Sequence, residues 1–296
     1  NYNLINLPSQ LIKLSIDSYN FNNSLNFLPS TLQYLAIISN KFNCILDDLP
    51  NNLRTLKIQS VSFNQPLNNL PKTLHTLEIK SRHFNKLYYS EYTKDFNNAM
   101  DYYPKPKYIN FFNQDLSKLP LTLKSLSIIS DKFTFPINNL PKSLETLFFS
   151  SHYFNQPINH LPPLKSLTFN SSKFNQSINQ LPNTLNSLII DSNEFNQPID
   201  SLPRNLTDMF IESEHFNQNM DHLPLSLKSL YINCPKFTNK LDSLPKKLNQ
   251  LYMKCDIFNE SLDNLPPLSF LNIRASKFNK PLDHLPDSLE TFGIYH

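Results

Sequence analysis

Glycine is almost missing from this chain: Gly293 stands alone among 296 residues, against 23 prolines. Corners that depend on glycine at positive φ are thereby excluded, and asparagine, which is abundant, is the residue left to take such positions. Tryptophan is absent, and cysteine occurs three times, as Cys44, Cys234 and Cys255. Three thiols with no signal-peptide pattern before them do not make a secreted disulfide framework, so a reducing, cytoplasmic-type compartment is expected. No apolar run approaches the ~18–20 residues that span a membrane, and no membrane partner is expected. Charge is sparse, 17% of residues, with a formal net charge of +3 and no basic block beyond Lys246-Lys247. Nucleic acid, which needs a clustered basic face, is not an expected partner.

What is present is a repeating unit. Phe154-Asn155-Gln156-Pro157-Ile158 followed by Leu161-Pro162, and Phe195-Asn196-Gln197-Pro198-Ile199 followed by Leu202-Pro203, are two copies of one 21-residue pattern. Leu-Pro closes units at Pro8, Pro29, Pro50, Pro71, Pro120, Pro141, Pro162, Pro182, Pro203, Pro224, Pro245, Pro266 and Pro286, in steps of 21 or 20 residues except from Pro71 to Pro120. The 20-residue steps follow Pro162-Pro163-Leu164 and Pro266-Pro267-Leu268, which drop one residue and mark that segment as a connector. A period that never changes character predicts one domain over 1–296, a solenoid of about 13 regular coils without a linker. The chain opens at Asn1 inside a unit and stops at His296 inside a strand. That reads as a fragment of a longer polypeptide, whose uncapped ends allow self-association.

Six apolar positions recur per unit, as in Phe133, Ile137, Leu140, Leu144, Leu147 and Phe149. The first spacing, Leu144 to Leu147, would suit a helical turn, but Leu147 to Phe149 alternates and the segment is rich in β-branched and aromatic residues. Two helices with their turns need about 34 residues per repeat. Twenty-one residues broken by proline leave one short parallel strand per coil with an extended or 3₁₀ return, a mainly β chain without long helices. Six side chains cannot hold one coil alone, so stability must come from stacking coil on coil. In the stack, the phenylalanines after each strand (Phe21, Phe42, Phe63, Phe84 and onward to Phe278) form an aromatic spine. The asparagine that follows each of them, replaced by Thr134 and Thr238, bridges backbone groups of successive turns.

The array breaks once. From Phe84 to Phe112 the step is 28 residues, and within it Phe96-Asn97, Met100-Asp101 and Tyr103-Pro104 repeat half of a unit. We read a degenerate coil fused to an insertion at 86–111. It holds Tyr88, Tyr89, Tyr92, Tyr102, Tyr103 and Tyr108, either a protruding recognition loop or a decayed repeat whose tyrosines patch its own core.

Leu-x-x-Leu-x-Ile after Leu-Pro resembles the leucine-rich repeat, and Phe-Asn-Gln-Pro-Ile followed by Leu-Pro resembles the FNIP repeat of amoebal and giant-virus proteins, across essentially the whole chain. The resemblance implies a leucine-rich-repeat-like solenoid, curved and used for protein recognition, with no catalytic residues. Members often carry an N-terminal F-box that recruits a ubiquitin ligase, although no F-box-like helical segment precedes Leu4 here. For a viral member the compartment would be the host cytoplasm.

On the strands, the position after the inward leucine reads Ser15, Ala36, Lys57, Glu78 and Ser127, then Phe148, Thr168, Ile189, Phe210, Tyr231 and Tyr252. An apolar stripe on a concave sheet is a candidate partner-binding surface, rimmed by Asp191, Asp208, Glu212, Lys254 and Arg274. The alternative is that aromatics simply favour strands. Five coils align Asp200, Asp221, Asp242, Asp263 and Asp283; Asn26, Asn68, Asn138, Asn159 and Asn179 fill the same column earlier, which favours turn capping over cation binding. His160, His222 and His284 are three coils apart, too far to share a zinc ion. Cys234 and Cys255 occupy a small-residue column otherwise held by serine and are expected as free thiols. No cofactor, metal site or catalytic constellation is expected. The sequence points to a non-enzymatic protein-interaction module, as the substrate-recognition part of an F-box ubiquitin-ligase adaptor; the alternative is a structural or assembly protein, such as a viral particle component.

Overall fold

The structure is a computed structural model describing residues 4–81 and 111–295. It contains one 13-stranded parallel sheet in which sequence order is spatial order. The strands are β1 (Lys13–Asp17), β2 (Tyr34–Ile38), β3 (Thr55–Gln59), β4 (Thr76–Ser81), β5 (Ser125–Ser130), β6 (Thr146–Ser150), β7 (Ser166–Asn170), β8 (Ser187–Asp191), β9 (Asp208–Glu212), β10 (Ser229–Asn233), β11 (Gln250–Lys254), β12 (Phe270–Arg274) and β13 (Thr291–Tyr295). No helix occurs among the described residues, and the return legs are extended segments joined by turns, the first of the two expected forms. At ~4.8 Å per parallel neighbour, the twelve steps of the sheet span roughly 58 Å.

Alternation decides which face is which. In β8 the pattern Ser-Leu-Ile-Ile-Asp buries Leu188 and Ile190 and leaves Ser187, Ile189 and Asp191 on the other face. The register is residue-for-residue, so each column meets its own kind in the next coil, as with Leu188 opposite Met209 and Ile190 opposite Ile211. Before each strand the Leu-Pro corner closes as a tight turn, with Leu144 N–H donating to the Pro141 carbonyl at 3.0 Å. In the coils one residue shorter, Leu164 and Leu268 donate instead to Pro162 and Pro266, both at 2.7 Å. One fewer residue is absorbed by a tighter turn, and the strands stay in register.

The spine is present: Phe21 and Phe42 lie 5.9 Å apart and 12° from parallel, and Phe195 and Phe216 lie 5.9 Å apart at 3°. Behind it, the asparagines form a ladder. Asn22 Oδ1 accepts from Asn43 N–H at 2.8 Å, Asn43 Oδ1 from Asn64 N–H at 2.9 Å, and Asn113 Oδ1 from Thr134 N–H at 3.0 Å. Each amide oxygen pairs with a backbone donor that the return leg, having no strand neighbour, leaves without a backbone partner. On the other side of the phenylalanine, Ser192 Oγ donates to the Phe174 carbonyl and Ser213 Oγ to that of Phe195. Cys234, Cys255 and Ala275 take the same buried slot later in the array, and all three cysteines are free.

The strands on either side of the expected degenerate coil are neighbours in the sheet. Strand β4 pairs directly with β5, Thr76 opposite Ser125 through Ser81 opposite Ser130, so no coil intervenes in the sheet. The spine agrees: Phe63 stacks on Phe112 at 6.0 Å, and Asn64 Oδ1 accepts from Asn113 N–H. Phe112 holds the place assigned above to Phe84. The rest of the 86–111 segment, with Tyr88, Tyr89, Tyr92, Tyr102, Tyr103 and Tyr108, lies outside the described residues.

A second correction concerns the Asp/Asn column. Caps at this turn come from the residue two positions earlier: Ser24, Ser177 and Ser261 Oγ accept from the N–H of Asn26, Asn179 and Asp263, and Asn219 Oδ1 accepts from Asp221 N–H. The column itself serves as acceptor for neighbours, as when Asp242 accepts from Asn264 Nδ2 at 3.2 Å.

Candidate interaction surface

Every strand turns three side chains away from the core, and because the register never slips these form three parallel rows across the sheet. The middle row brings together Ile189, Phe210, Tyr231 and Tyr252, consecutive partners on β8 to β11. Phe148 stands apart from them, separated from Ile189 by Thr168 on β7. The aromatic part is one stack: Phe210 and Tyr231 lie 4.4 Å apart at 12°, and Tyr231 and Tyr252 lie 4.3 Å apart at 3°. These rings are closer than the ~4.8 Å strand spacing and much closer than those of the spine. Mutual cover leaves all four residues half-buried instead of fully exposed. Burial first, then the neighbouring Tyr252, pushes the Tyr231 phenol above its ordinary range, so its O–H stays protonated as a donor.

The outer row on one side reads Asn170, Asp191, Glu212, Asn233, Lys254 and Arg274 from β7 to β12. Asn170 Nδ2 donates to Asp191 at 2.7 Å, and Asn233 Nδ2 donates to Glu212 at 2.8 Å, which fixes both carboxylates. Burial, and next the Asp191 carboxylate beside it, push the Glu212 pKa upward. Glu78 on β4 shows the opposite balance. Burial acts upward there too, but Lys80 at 2.5 Å and Lys57 at 3.0 Å carry its pKa below the usual carboxylate range. At β8 and β9 two carboxylates therefore face each other in register; at β4 the same face is neutralised from within.

The outer row on the other side reads Ser187, Asp208, Ser229, Gln250 and Phe270. Between it and the aromatic row runs an open groove of about 240 Å³, lined by Ser187, Ile189, Asp208, Phe210, Ser229, Tyr231, Gln250, Tyr252 and Phe270 over a floor of Leu188, Met209 and Leu230. Phe270 was missed in the sequence reading; its signal was a large ring in a column held from β3 to β11 by Ser, Thr, Asp or Gln. The groove is below the ~300–1,000 Å³ of pockets that enclose a small-molecule ligand. Its shape suits side chains presented by a larger partner.

Other candidates remain dispersed. His160, His222 and His284 are exposed, with His222 Nδ1 3.5 Å from Asp200. Among the described residues no group of three or more His, Cys, Asp or Glu is placed to hold a metal ion, and no helix is long and apolar enough to cross a membrane. Burial pushes the thiol pKa values up, Cys234 well above the ordinary range and Cys255 to about 12. Such thiols are poor nucleophiles, which removes them as reactive groups.

The family model FNIP Repeat matches residues 42–81. No curated protein matches the chain. Among solved structures, the chain is similar to CroV588, described as a novel circular leucine-rich-repeat protein, with 25% identity and a TM-score of 0.62. The match covers 97% of this chain and 50% of that one, so the chain spans about half of that protein's length. YopM from Yersinia enterocolitica WA-314 shares 20% identity at a TM-score of 0.49, over 95% of this chain and 64% of its own.

Proposed function

We propose that this array of FNIP-type, leucine-rich-repeat-like coils is a non-enzymatic protein-recognition module whose open sheet face binds a protein partner. The observation that carries this reading is the stacked row Phe210–Tyr231–Tyr252 beside a groove. Large rings on the solvent side of a sheet expose apolar area that inner-facing residues do not, and Tyr-rich patches held rigid by a scaffold are typical binding anchors. Asp191, Asp208, Glu212, Lys254 and Arg274 supply the polar rim. The FNIP resemblance supports the finer reading, a substrate-recognition part of an F-box ubiquitin-ligase adaptor. The three free thiols are in keeping with a reducing, cytoplasmic location.

The test is a pull-down from cell lysate with the wild-type chain beside its Phe210→Asp/Tyr231→Asp variant, read by mass spectrometry. Proteins captured by the first and lost by the second support the face as the contact surface. Equal capture by both would overturn it. Self-association is the structural alternative. It predicts a sedimentation coefficient that rises with concentration and is indifferent to the double substitution.

A further inference from the structure

The face is chemically polarised along its length, and that polarity specifies what it fits. At β8 and β9 the aromatic row is flanked on both sides by acids: Asp208 on the groove side, Asp191 and Glu212 on the other. Three strands on, at β11 and β12, the residues flanking it on the side away from the groove are Lys254 and Arg274, both exposed, with Arg274 over the edge-strand Tyr295 ring at 5.3 Å. Between the two ends lie Phe210, Tyr231 and Tyr252, with Ser229 and Gln250 along the groove wall. Among the described residues no salt bridge joins these ends: the strands bearing Glu212 and Lys254 are separated by β10, which contributes Asn233, and Lys254 acts on Glu212 only across that strand.

We infer that the groove is a docking site for one extended peptide segment of a partner, carrying an Arg or Lys at one end, apolar or aromatic residues in the middle and an Asp or Glu at the other end. This rests on the proposed function and adds the chemistry of its partner. Length and charge both argue for it. From β8 to β12 is four strand steps, ~19 Å, which an extended chain at ~3.3 Å per residue crosses in about six residues. The basic end belongs over β8 and β9, where a guanidinium can lie against the open face of Phe210 next to Ile189 and donate to Asp208 or to the Asp191–Glu212 pair. A cation there offsets the repulsion between two carboxylates held in register. The acidic end belongs over β11 and β12, within reach of Lys254 and Arg274. The middle residues fill the groove against Tyr231 and Tyr252.

The experiment is a random octapeptide display library selected on the whole chain, on Phe210→Asp/Tyr231→Asp, and on Lys254→Glu/Arg274→Glu, each first checked for β circular dichroism. The expected result is a set of peptides recovered on the wild type and absent from the aromatic variant, in which a basic and an acidic residue stand four to six positions apart around apolar residues. A synthetic peptide of that consensus should lose at least tenfold in affinity on Lys254→Glu/Arg274→Glu, and its analogue with the acid changed to lysine should recover that loss. If the charge-reversed protein does not fold, Lys254→Ser/Arg274→Ser serves in its place, with at least a threefold loss expected. Peptides that need the aromatic row but show no charge pattern would overturn this inference and leave the proposed function standing. No peptide dependent on the aromatic row would sink the inference, whether the lysate test succeeds or fails. Concentration-dependent association of the chain itself, abolished by the same aromatic substitutions, would place a second copy on the face and overturn the peptide.

Discussion

A phenylalanine in the spine touches its own kind on both sides, and this makes it the costliest side chain to remove. Phe195 is fully buried and stacks on Phe174 at 6.2 Å and on Phe216 at 5.9 Å. Phe195→Ala should cost about 3–5 kcal/mol, the usual penalty for truncating a buried aromatic, with Phe195→Leu well below it. Urea denaturation of both variants checks this; equal costs would mean that the ring itself, and not the volume it fills, carries the stabilisation. The buried thiols give a second prediction. Burial pushes the Cys255 thiol from its ordinary value of about 9 up to about 12, so the folded chain keeps a proton that the unfolded chain gives up. Its contribution is constant below about pH 9, and stability then falls by roughly 1.4 kcal/mol per pH unit per thiol as pH rises towards 12. Urea midpoints between pH 8 and 10.5 should fall less steeply in Cys255→Ser; identical slopes would show that the thiol ionises normally when folded. The small-residue column that houses Cys234 and Cys255 was legible from the serines around it. That these serines donate to phenylalanine carbonyls 17 or 18 residues earlier was not, because a small slot and a hydrogen-bonding slot read alike in one dimension.

One strand and one return leg make the coil, and at this level the sequence was nearly transparent. Leucine alternation placed the strands, and the missing residue after Pro162 and Pro266 announced a connector, which the structure shows as a tighter turn. The segment after Phe84 was not decidable from pattern alone: Phe-Asn and Tyr-Pro at suitable offsets look like half a coil, and only strand pairing tells a coil from a chance match. The direct pairing of β4 with β5 supports a deletion experiment. Removing 84–111 joins Ser81-Arg82-His83 to Phe112-Asn113-Gln114 and restores the spacing of Ser60-Val61-Ser62-Phe63-Asn64. Since closure entropy grows slowly with loop length, stability should change by no more than about 1–2 kcal/mol, with the β circular dichroism unchanged. Collapse of the sheet on deletion would show that the segment supplies packing. The same variant separates the two candidate surfaces: capture that depends on Phe210 and Tyr231 should survive it, whereas a contact made by Tyr88, Tyr89, Tyr92, Tyr102 or Tyr103 should vanish.

In the whole molecule each strand pairs only with its sequence neighbours, and the order of the sheet is the order of the chain. No contact ties β1 to β13, so cooperativity must be passed from coil to coil through the strand ladder, the phenylalanine spine and the asparagine ladder. An array of this kind behaves as a row of coupled units, and a sufficiently bad unit cuts the row. Leu167 on β7 is buried between Leu147 and Leu188, near the middle of the array. Leu167→Asp places a charge where no partner stands, an uncompensated burial that is commonly worth more than 3 kcal/mol. Hydrogen exchange read by mass spectrometry should then show protection lost across β6 to β8 while β2 to β4 and β10 to β12 keep theirs, and urea unfolding should separate into two steps. The recognition face supplies an independent check. Its residues lie on β8 to β11, so the cut falls at its edge: peptide binding should weaken at the Ile189 end while the Phe210–Tyr231–Tyr252 stack persists, visible as retained tyrosine near-ultraviolet dichroism. Uniform loss of protection from β1 to β13 would mean that the coupling between coils exceeds the damage to any one of them, and the molecule would have to be treated as a single cooperative unit despite its one-dimensional wiring.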